Sequence, residues 1–434
     1  MTLTAAEAEK FVESLPKQDF QPVMLATARN TYGLARGFYE EYGVISIALG
    51  NAELPPVHDS KIVHVLCAED YTTDEGFLGL LSILGETFAR LRPETALVLV
   101  PCADTSATLL ARHKETLKTW YLTSSIDEEK INSLIDKKTF SDLCLRHNLS
   151  HPSTVFYSYE DFTANKPLSL SFDFPIVVKS TDSVAYLSCI AAGMKKAYIL
   201  HTHQELDDTV KKIFSSDYRA SLVIQEFIPG DDTHMRVLNA YVNSDGSIAM
   251  MSLGQPLMEV WHPASLGNYA AIISGGDQEV YDKVAHFLQA VGYTGYVNFD
   301  MKYDERSKEF KFFELNPRAG GSSDFTTAGG LNMARWIVED LVKNNRHDTV
   351  YGFERRLWLG VPKAVLRKYA PAGAAKDEAL KLLKEKKYRE TLFFSKDLSF
   401  SRLKAISKMW LGYFRMYHTW GPGGVPRKDM KDEL

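Results

Sequence analysis

The chain has 434 residues, 45% apolar and 24% charged. That composition excludes a disordered or fibrous protein and gives enough length for two to four domains of roughly 100–200 residues. The net charge of −5 is unevenly spread: residues 355–434 hold 19 Lys/Arg against 8 Asp/Glu, whereas the body before them is acidic, so an anionic partner is expected for the basic tail.

No apolar run approaches the roughly 20 residues of a membrane span. Residues 1–20 lack a basic stretch followed by an apolar core and a small-residue cleavage site, so no secretory leader is read and a cytoplasmic location is expected. Cys67, Cys102, Cys144 and Cys189 are too scattered for a metal site, and reduced, mostly buried thiols are expected. Lys431 to Leu434 spell an endoplasmic-reticulum retention signal, read here as coincidence because no leader precedes it.

Residues 20–125 alternate strand and helix: strands at 22–27, 44–49, 61–67 and 96–101, helices at 31–42 and 77–91. Such alternation predicts a parallel sheet covered on both faces. No Gly-x-Gly-x-x-Gly follows the first strand, so a substrate-holding or scaffolding domain is expected rather than a dinucleotide site. One helix is predicted over 131–147. Strands follow at 174–180, 197–200 and 222–228, with a helix at 204–214. Residues 238–242 and 248–252 flank Asn243-Ser244-Asp245-Gly246, a hairpin with Asp-Gly at its turn. The last 90 residues read as helical and basic. Leu398, Leu403, Ile406, Trp410, Tyr413 and Tyr417 make an apolar stripe at helix spacing, beside Arg402, Lys404, Lys408 and Arg415.

The chemistry concentrates in residues 296–318. Tyr296-Val-Asn-Phe-Asp300 and Phe312-Phe-Glu314-Leu-Asn316-Pro-Arg318 read as two strands joined by the polar loop 304–308. Alternation puts Glu314, Asn316 and Arg318 on one face and Phe313 and Leu315 on the other. A loop centred near residue 307 sets Asp300 opposite Glu314. Two carboxylates and an amide oxygen suit magnesium, and an adjacent arginine fork suits a phosphoryl group. The following Ala319-Gly-Gly-Ser-Ser323 lets backbone amides approach an anion. Lys179, ending an apolar strand, and Lys137, starting a helix, complete a phosphate clamp; Lys138 is the weaker neighbour. In Leu222–Asp232 the strand edge near Ile228 could pair with an adenine ring, Gln225 or Glu226 could take its exocyclic amine, and Asp232 the ribose hydroxyls. His234, His262 and Arg29 are weaker polar candidates. Tyr296 and Asn298 share a face with Asp300, while Trp261 and Tyr269 read as packing residues.

The order Lys137, Lys179, Gln225-Glu226, Asp232, Asp300, Glu314, Asn316, Arg318 resembles the ATP-grasp superfamily over about residues 130–340. Ser180–Tyr186, Leu266-Gly-Asn268-Tyr, Arg356–Lys363 and Tyr388–Asp397 resemble its D-aspartate ligase branch of carboxylate–amine ligases. The loop 180–194 departs from the Gly-rich flap of many members, having only Gly193, and Gln225 stands where an acid is common. The resemblance implies α/β and α+β architecture: an N-terminal parallel α/β domain (1–129), a two-subdomain ATP clamp (130–215 and 216–345) and a helical basic C-terminal extension (346–434). It implies ATP and magnesium, with manganese as a substitute. Lys137, Lys179, Gln225, Glu226, Ile228 and Asp232 are then ATP-binding, Asp300, Glu314 and Asn316 the metal ligands, and Arg318 the catalytic arginine. The reaction implied is ADP-forming ligation of a small carboxylate to an amine through an acyl phosphate. In the D-aspartate branch the amine sits on a peptidoglycan precursor. A dipeptide-forming amino-acid ligase, another ATP-grasp enzyme such as a carboxylase, and a non-catalytic nucleotide-binding regulator are the alternatives. No nucleic-acid partner is expected. For the basic tail, a nucleotide-linked peptide acceptor and an acidic membrane surface both supply the anion.

Overall fold

The computed structural model describes residues 3–182, 185–262 and 267–421, which build three sheets. β1 (Phe20–Leu25), β2 (Ser46–Gly50), β3 (Val63–Cys67), β4 (Ala96–Pro101) and β5 (Tyr121–Leu122) form a wholly parallel sheet in the order β3-β2-β1-β4-β5. β1 and β2 are buried along their whole length, as strands with helices on both faces must be. Strand order reverses between β1 and β4, so the loops leaving these two strands open a crevice at the carboxyl end of the sheet, where such folds place ligands.

The expected helix over 131–147 is two helices, Glu128–Ile135 and Lys137–Arg146. Asp136 breaks it, because its carboxylate accepts the Thr139 amide at 2.8 Å and starts the second helix. Lys137 therefore occupies the first turn of a new helix.

β6 (Thr154–Tyr157), β7 (Ile176–Ser180), β8 (Ala197–Leu200) and β9 (Leu222–Glu226) form a small antiparallel sheet, β6-β9-β7-β8. Ile176, Val178, Leu222 and Ile224 pack on the helix His203–Phe214. By alternation, Val177, Lys179, Val223 and Gln225 face the other way.

The third sheet joins β10 (Met235–Val242), β11 (Ile248–Glu259), β12 (Tyr269–Gly275), β13 (Gly295–Asp304), β14 (Glu309–Asn316), β15 (Val350–Gly352), β16 (Leu357–Leu359) and β17 (Tyr388–Glu390). Its path is β14-β13-β10-β11-β12-β16-β17, with β15 beside β11. The β10–β11 hairpin turns at Gly246, whose φ of +85° requires glycine-like freedom.

The last 90 residues are thus not helical throughout. They contribute β15, β16 and β17 as well as the helices Lys363–Tyr369, Ala374–Lys384 and Phe400–Trp420. The final helix is pinned by a buried ion pair. Arg402 and Asp397, both with fully buried side chains, lie 3.2 Å apart, and Asp397 also accepts Tyr32 Oη–H and Ser60 Oγ–H. Arg402 donates to the carbonyls of His58 and Pro56. It therefore leaves the exposed basic face that its spacing predicts for it. One apolar core runs continuously from Tyr32 and Phe38 through Met333, Trp336 and Ile337 to Leu392, Phe394 and Ile406.

Candidate active site

The β13–β14 hairpin sets the geometry. Asp300 pairs with Glu314 and Asn298 with Asn316, the register the loop position predicts. A β-bulge after this pair shifts the register, so Met301 faces Phe312. Phe312 and Leu315 enter the core, and Phe313, expected there, is only half-buried.

On the polar face the groups converge. Asn316 donates its amide to Asp300 Oδ2 at 3.2 Å and to Asn298 Oδ1 at 3.1 Å. Asn298 donates to Asn239, and Asn239 to Thr326. This chain of side-chain amides orients Asn316 so that its oxygen faces Arg318, whose Nη2 lies 3.3 Å away. Behind it Gly320 lies tight on Asn298: a Cβ there would come within 3.0 Å of the amide. Burial first, and then the facing Glu314 carboxylate, push the Asp300 carboxyl well above the usual carboxylate range. A carboxylate held up in this way by burial and a facing carboxylate forms a site that a divalent cation would relieve. Asp300, Glu314 and Asn316 Oδ1 are the oxygens available to it, a set that fits magnesium; among the described residues no group of three His, Cys, Asp or Glu side chains that could hold a metal forms.

Lys137 and Lys179 stand opposite. Lys137 donates to the Ser180 carbonyl at 2.6 Å. Burial and then the Lys179 ammonium pull its pKa down to about 8, against the Glu314 carboxylate. Lys179 is lowered by burial, with Glu314 opposing, and among the described residues it makes no ion pair or hydrogen bond through its ammonium. Lys196, a third cation not singled out from sequence, acts on both. Lys138 is exposed, in keeping with its lower rank.

Arg318 reaches across to the parallel sheet. Its Nε and Nη2 donate to the two oxygens of Asp104 at 2.7 and 3.1 Å. Burial acts to lower its pKa, but Asp104 first, and then Asp300 and Glu314, together more than offset this and hold it high. Asp104 opens the helix after β4, beside the crevice at the strand-order reversal. Its signal in the sequence is its place just beyond the carboxyl end of a parallel strand. Tyr269, a packing residue by its sequence pattern, instead donates its hydroxyl to Asp300 Oδ1 at 2.9 Å. Tyr296 does the reverse: it is buried against Tyr241 and donates to the Met333 carbonyl, away from the site.

At the β9 end, Gln225 donates to Thr154 Oγ1 at 2.9 Å. Glu226 has both oxygens engaged, one by the Ser153 amide at 2.8 Å and the other by Arg306 at 3.2 Å. The amides of Glu226 and Phe227 donate to Ser153 and Pro175 carbonyls, whereas that of Ile228 donates to no described residue. Asp232 Oδ2 accepts the Glu259 amide at 3.1 Å, and burial raises its carboxyl. Arg29 is bound to the carbonyls of Gly360 and Tyr269 and lies over Trp358. His234 pairs locally with Asp231, and His262 meets the Trp420 ring, so none of these three joins the hairpin cluster. Of the resemblance motifs, Ser183, Val184 and Leu266 lie outside the described residues, as do Lys431–Leu434.

Three of the four cysteines are buried and all are free. No described helix is long and apolar enough to cross a membrane.

No protein-family model matches the chain. It is 38% identical over 424 residues to the D-aspartate ligase of Enterococcus faecium (strain Aus0004), covering 95% of this chain and 97% of that protein. Among solved structures it is similar to the biotin carboxylase domain of Hydrogenobacter thermophilus 2-oxoglutarate carboxylase, in complex with MgADP (TM-score 0.58, 12% identity, 78% of this chain and 73% of that one). It is also similar to the N5-carboxyaminoimidazole ribonucleotide synthetase of Thermus thermophilus (0.53, 13%, 80% and 86%). A third likeness is to the L-amino acid ligase of Bacillus licheniformis (0.52, 14%, 76% and 75%). At these identities the solved structures show the fold.

Proposed function

The chain belongs to the D-aspartate ligase family of ATP-grasp enzymes, ATP-dependent ligases that form a carbon–nitrogen bond and release ADP, and on that premise we propose that it joins the side-chain carboxylate of D-aspartate to an amine of a peptidoglycan precursor. The observation that carries the chemistry is the facing of Asp300 and Glu314 across the hairpin, with Asn316 and Arg318 on one side and Lys137 and Lys179 opposite. The substrate assignment is supported by the 38% identity to the enterococcal enzyme.

In this reading Lys137 and Lys179 neutralise the outer phosphates of ATP. The Ile228 amide and the Gln225 side chain meet the adenine, and Asp232 meets the ribose. Glu226 braces this strand end through Ser153 and Arg306 instead of facing the base. Asp300, Glu314 and Asn316 would hold magnesium, which when bound supplies a Lewis acid for the phosphate oxygens. A substrate carboxylate oxygen attacks the γ-phosphorus. The bond to ADP breaks and an acyl phosphate forms. Arg318, aimed by Asp104, meets the charge on the transferring group; this is electrostatic stabilisation by a group already in place. The amine then attacks the acyl carbon, loses a proton, and phosphate leaves. Lys137 ties Ser180, the start of the segment 180–194 that the resemblance makes the flap, to the site, which supports a water-excluding role for that segment; its described part includes the helix Leu187–Ala191.

The test is ADP release from the purified enzyme with each of the D- and L-amino acids, with and without a cell-wall precursor. Release that requires both D-aspartate and the precursor is expected. Release with pairs of free amino acids alone would make the protein a dipeptide ligase. No release with any combination would leave a nucleotide-binding regulator.

A further inference from the structure

The last helix, Phe400–Trp420, has two unlike faces. Arg402, Ile406 and Tyr417 are buried against the body. Next to this buried face, turning away from the body, Phe400 is 86% exposed, Leu411 60%, Leu403 41% and Phe414 38%. These four large apolar side chains have one helix face in common. At about 100° per residue they fall within an arc of about 80°, and Lys404, Arg415 and Lys408 fill the adjoining arc of about 60°. All three basic residues are exposed. The helix Lys363–Tyr369 packs on this one and adds exposed Arg367 and Lys368.

A solvated helix would not keep four large apolar groups in line, and scattered exposed apolar residues would not border a basic row. An anionic small molecule would satisfy the lysines but leave the phenylalanines and leucines in water. A second copy of the chain would satisfy the apolar row but bring like charges together, because the helix carries no acidic residue. A surface both apolar and anionic satisfies both rows. The geometry points to an acidic lipid surface as the occupant: the helix lies along a membrane with Phe400, Leu403, Leu411 and Phe414 toward the acyl chains and Lys404, Lys408 and Arg415 at the headgroups. The body's buried side of the same helix fixes the orientation through Arg402 and Asp397.

The experiment is co-sedimentation of the full chain with vesicles of phosphatidylcholine, alone or mixed with phosphatidylglycerol. Binding to the mixed vesicles only is expected, and its loss at about 1 M salt, where the screening length is about 3 Å. Phe400→Gln with Leu411→Gln, and separately Lys404→Glu with Lys408→Glu, should each lower vesicle partition by about tenfold or more. Melting temperature and ADP release without vesicles should stay unchanged, since these side chains are exposed and none belongs to the site. Equal binding to both vesicle types, or binding that survives both double substitutions, overturns the assignment. So does absence of vesicle binding with self-association that depends on Phe400 and Leu411, which would give the face to a second copy.

Discussion

Glu314 is exposed at the open face of the hairpin and opposes a half-buried Asp300. Nothing in the core depends on it. Glu314→Ala should therefore cut ADP release by at least about a hundredfold and leave the melting temperature unchanged; near-normal turnover at saturating magnesium would remove Glu314 from the site. Lys179 carries its charge on a methylene stem that rises from β7, and methionine keeps an apolar stem of similar length. Lys179→Met should weaken ATP binding by roughly 10- to 100-fold, the range of one hydrogen bond to a charged group, measured by calorimetry. Tyr269 touches no phosphate in this arrangement; it orients Asp300. Tyr269→Phe should raise the magnesium concentration for half-maximal rate by about tenfold or more, with a smaller effect on the rate at saturation. That split separates positioning from direct contact. The Asp300–Glu314 facing was legible because strand alternation and loop position are local rules. The roles of Tyr269 and Asp104 were not, since their partners lie 31 and 214 residues away in the chain.

At the scale of single elements, caps and turns explain most boundaries. Asp136 splits one expected helix into two and thereby sets Lys137 in a first turn. The Asp136-Lys-Lys-Thr139 pattern is an N-cap signal that the apolar periodicity across it obscures. The final helix shows a limit of periodicity of another kind. Arg402 sits among basic residues in sequence, yet its guanidinium is fully buried on Asp397 and over the Tyr32 ring. Removing one partner of a buried pair leaves the other charged and unpaired. Arg402→Ala should cost about 3–5 kcal/mol, read as a lowered melting temperature, whereas Lys404→Ala on the exposed face should change stability little.

For the whole molecule, the C-terminal segment is part of the main sheet. Leu357, Trp358 and Leu359 of β16 are buried to 2% exposure or less, and β17 extends the sheet beside them. Burying each such side chain is worth about 1.5–3 kcal/mol, so three of them approach the whole stability of a typical protein, about 5–15 kcal/mol. A chain ending at residue 345 should accordingly fail to show a cooperative melting transition or should be insoluble. A soluble fragment with full ATP affinity would show that residues 346–434 are a separable extension.

Local chemistry, by itself, determined the alternating parallel sheet, the Asp-Gly hairpin, the facing of Asp300 and Glu314 and the order of charged groups that marks the fold. Each rests on neighbours within a few residues or on side-chain alternation along one strand. Only the tertiary structure decided that Arg318 is held by Asp104, that Asp300 is held by Tyr269, that Arg402 turns inward, and that three-residue strands complete the sheet. Strands that short carry almost no period of their own and form because a sheet edge is already there to receive them. These ion pairs and hydrogen bonds exist because distant segments are brought together, and Arg402 and Asp397 meet in a low-dielectric interior, where a polar group must find a partner.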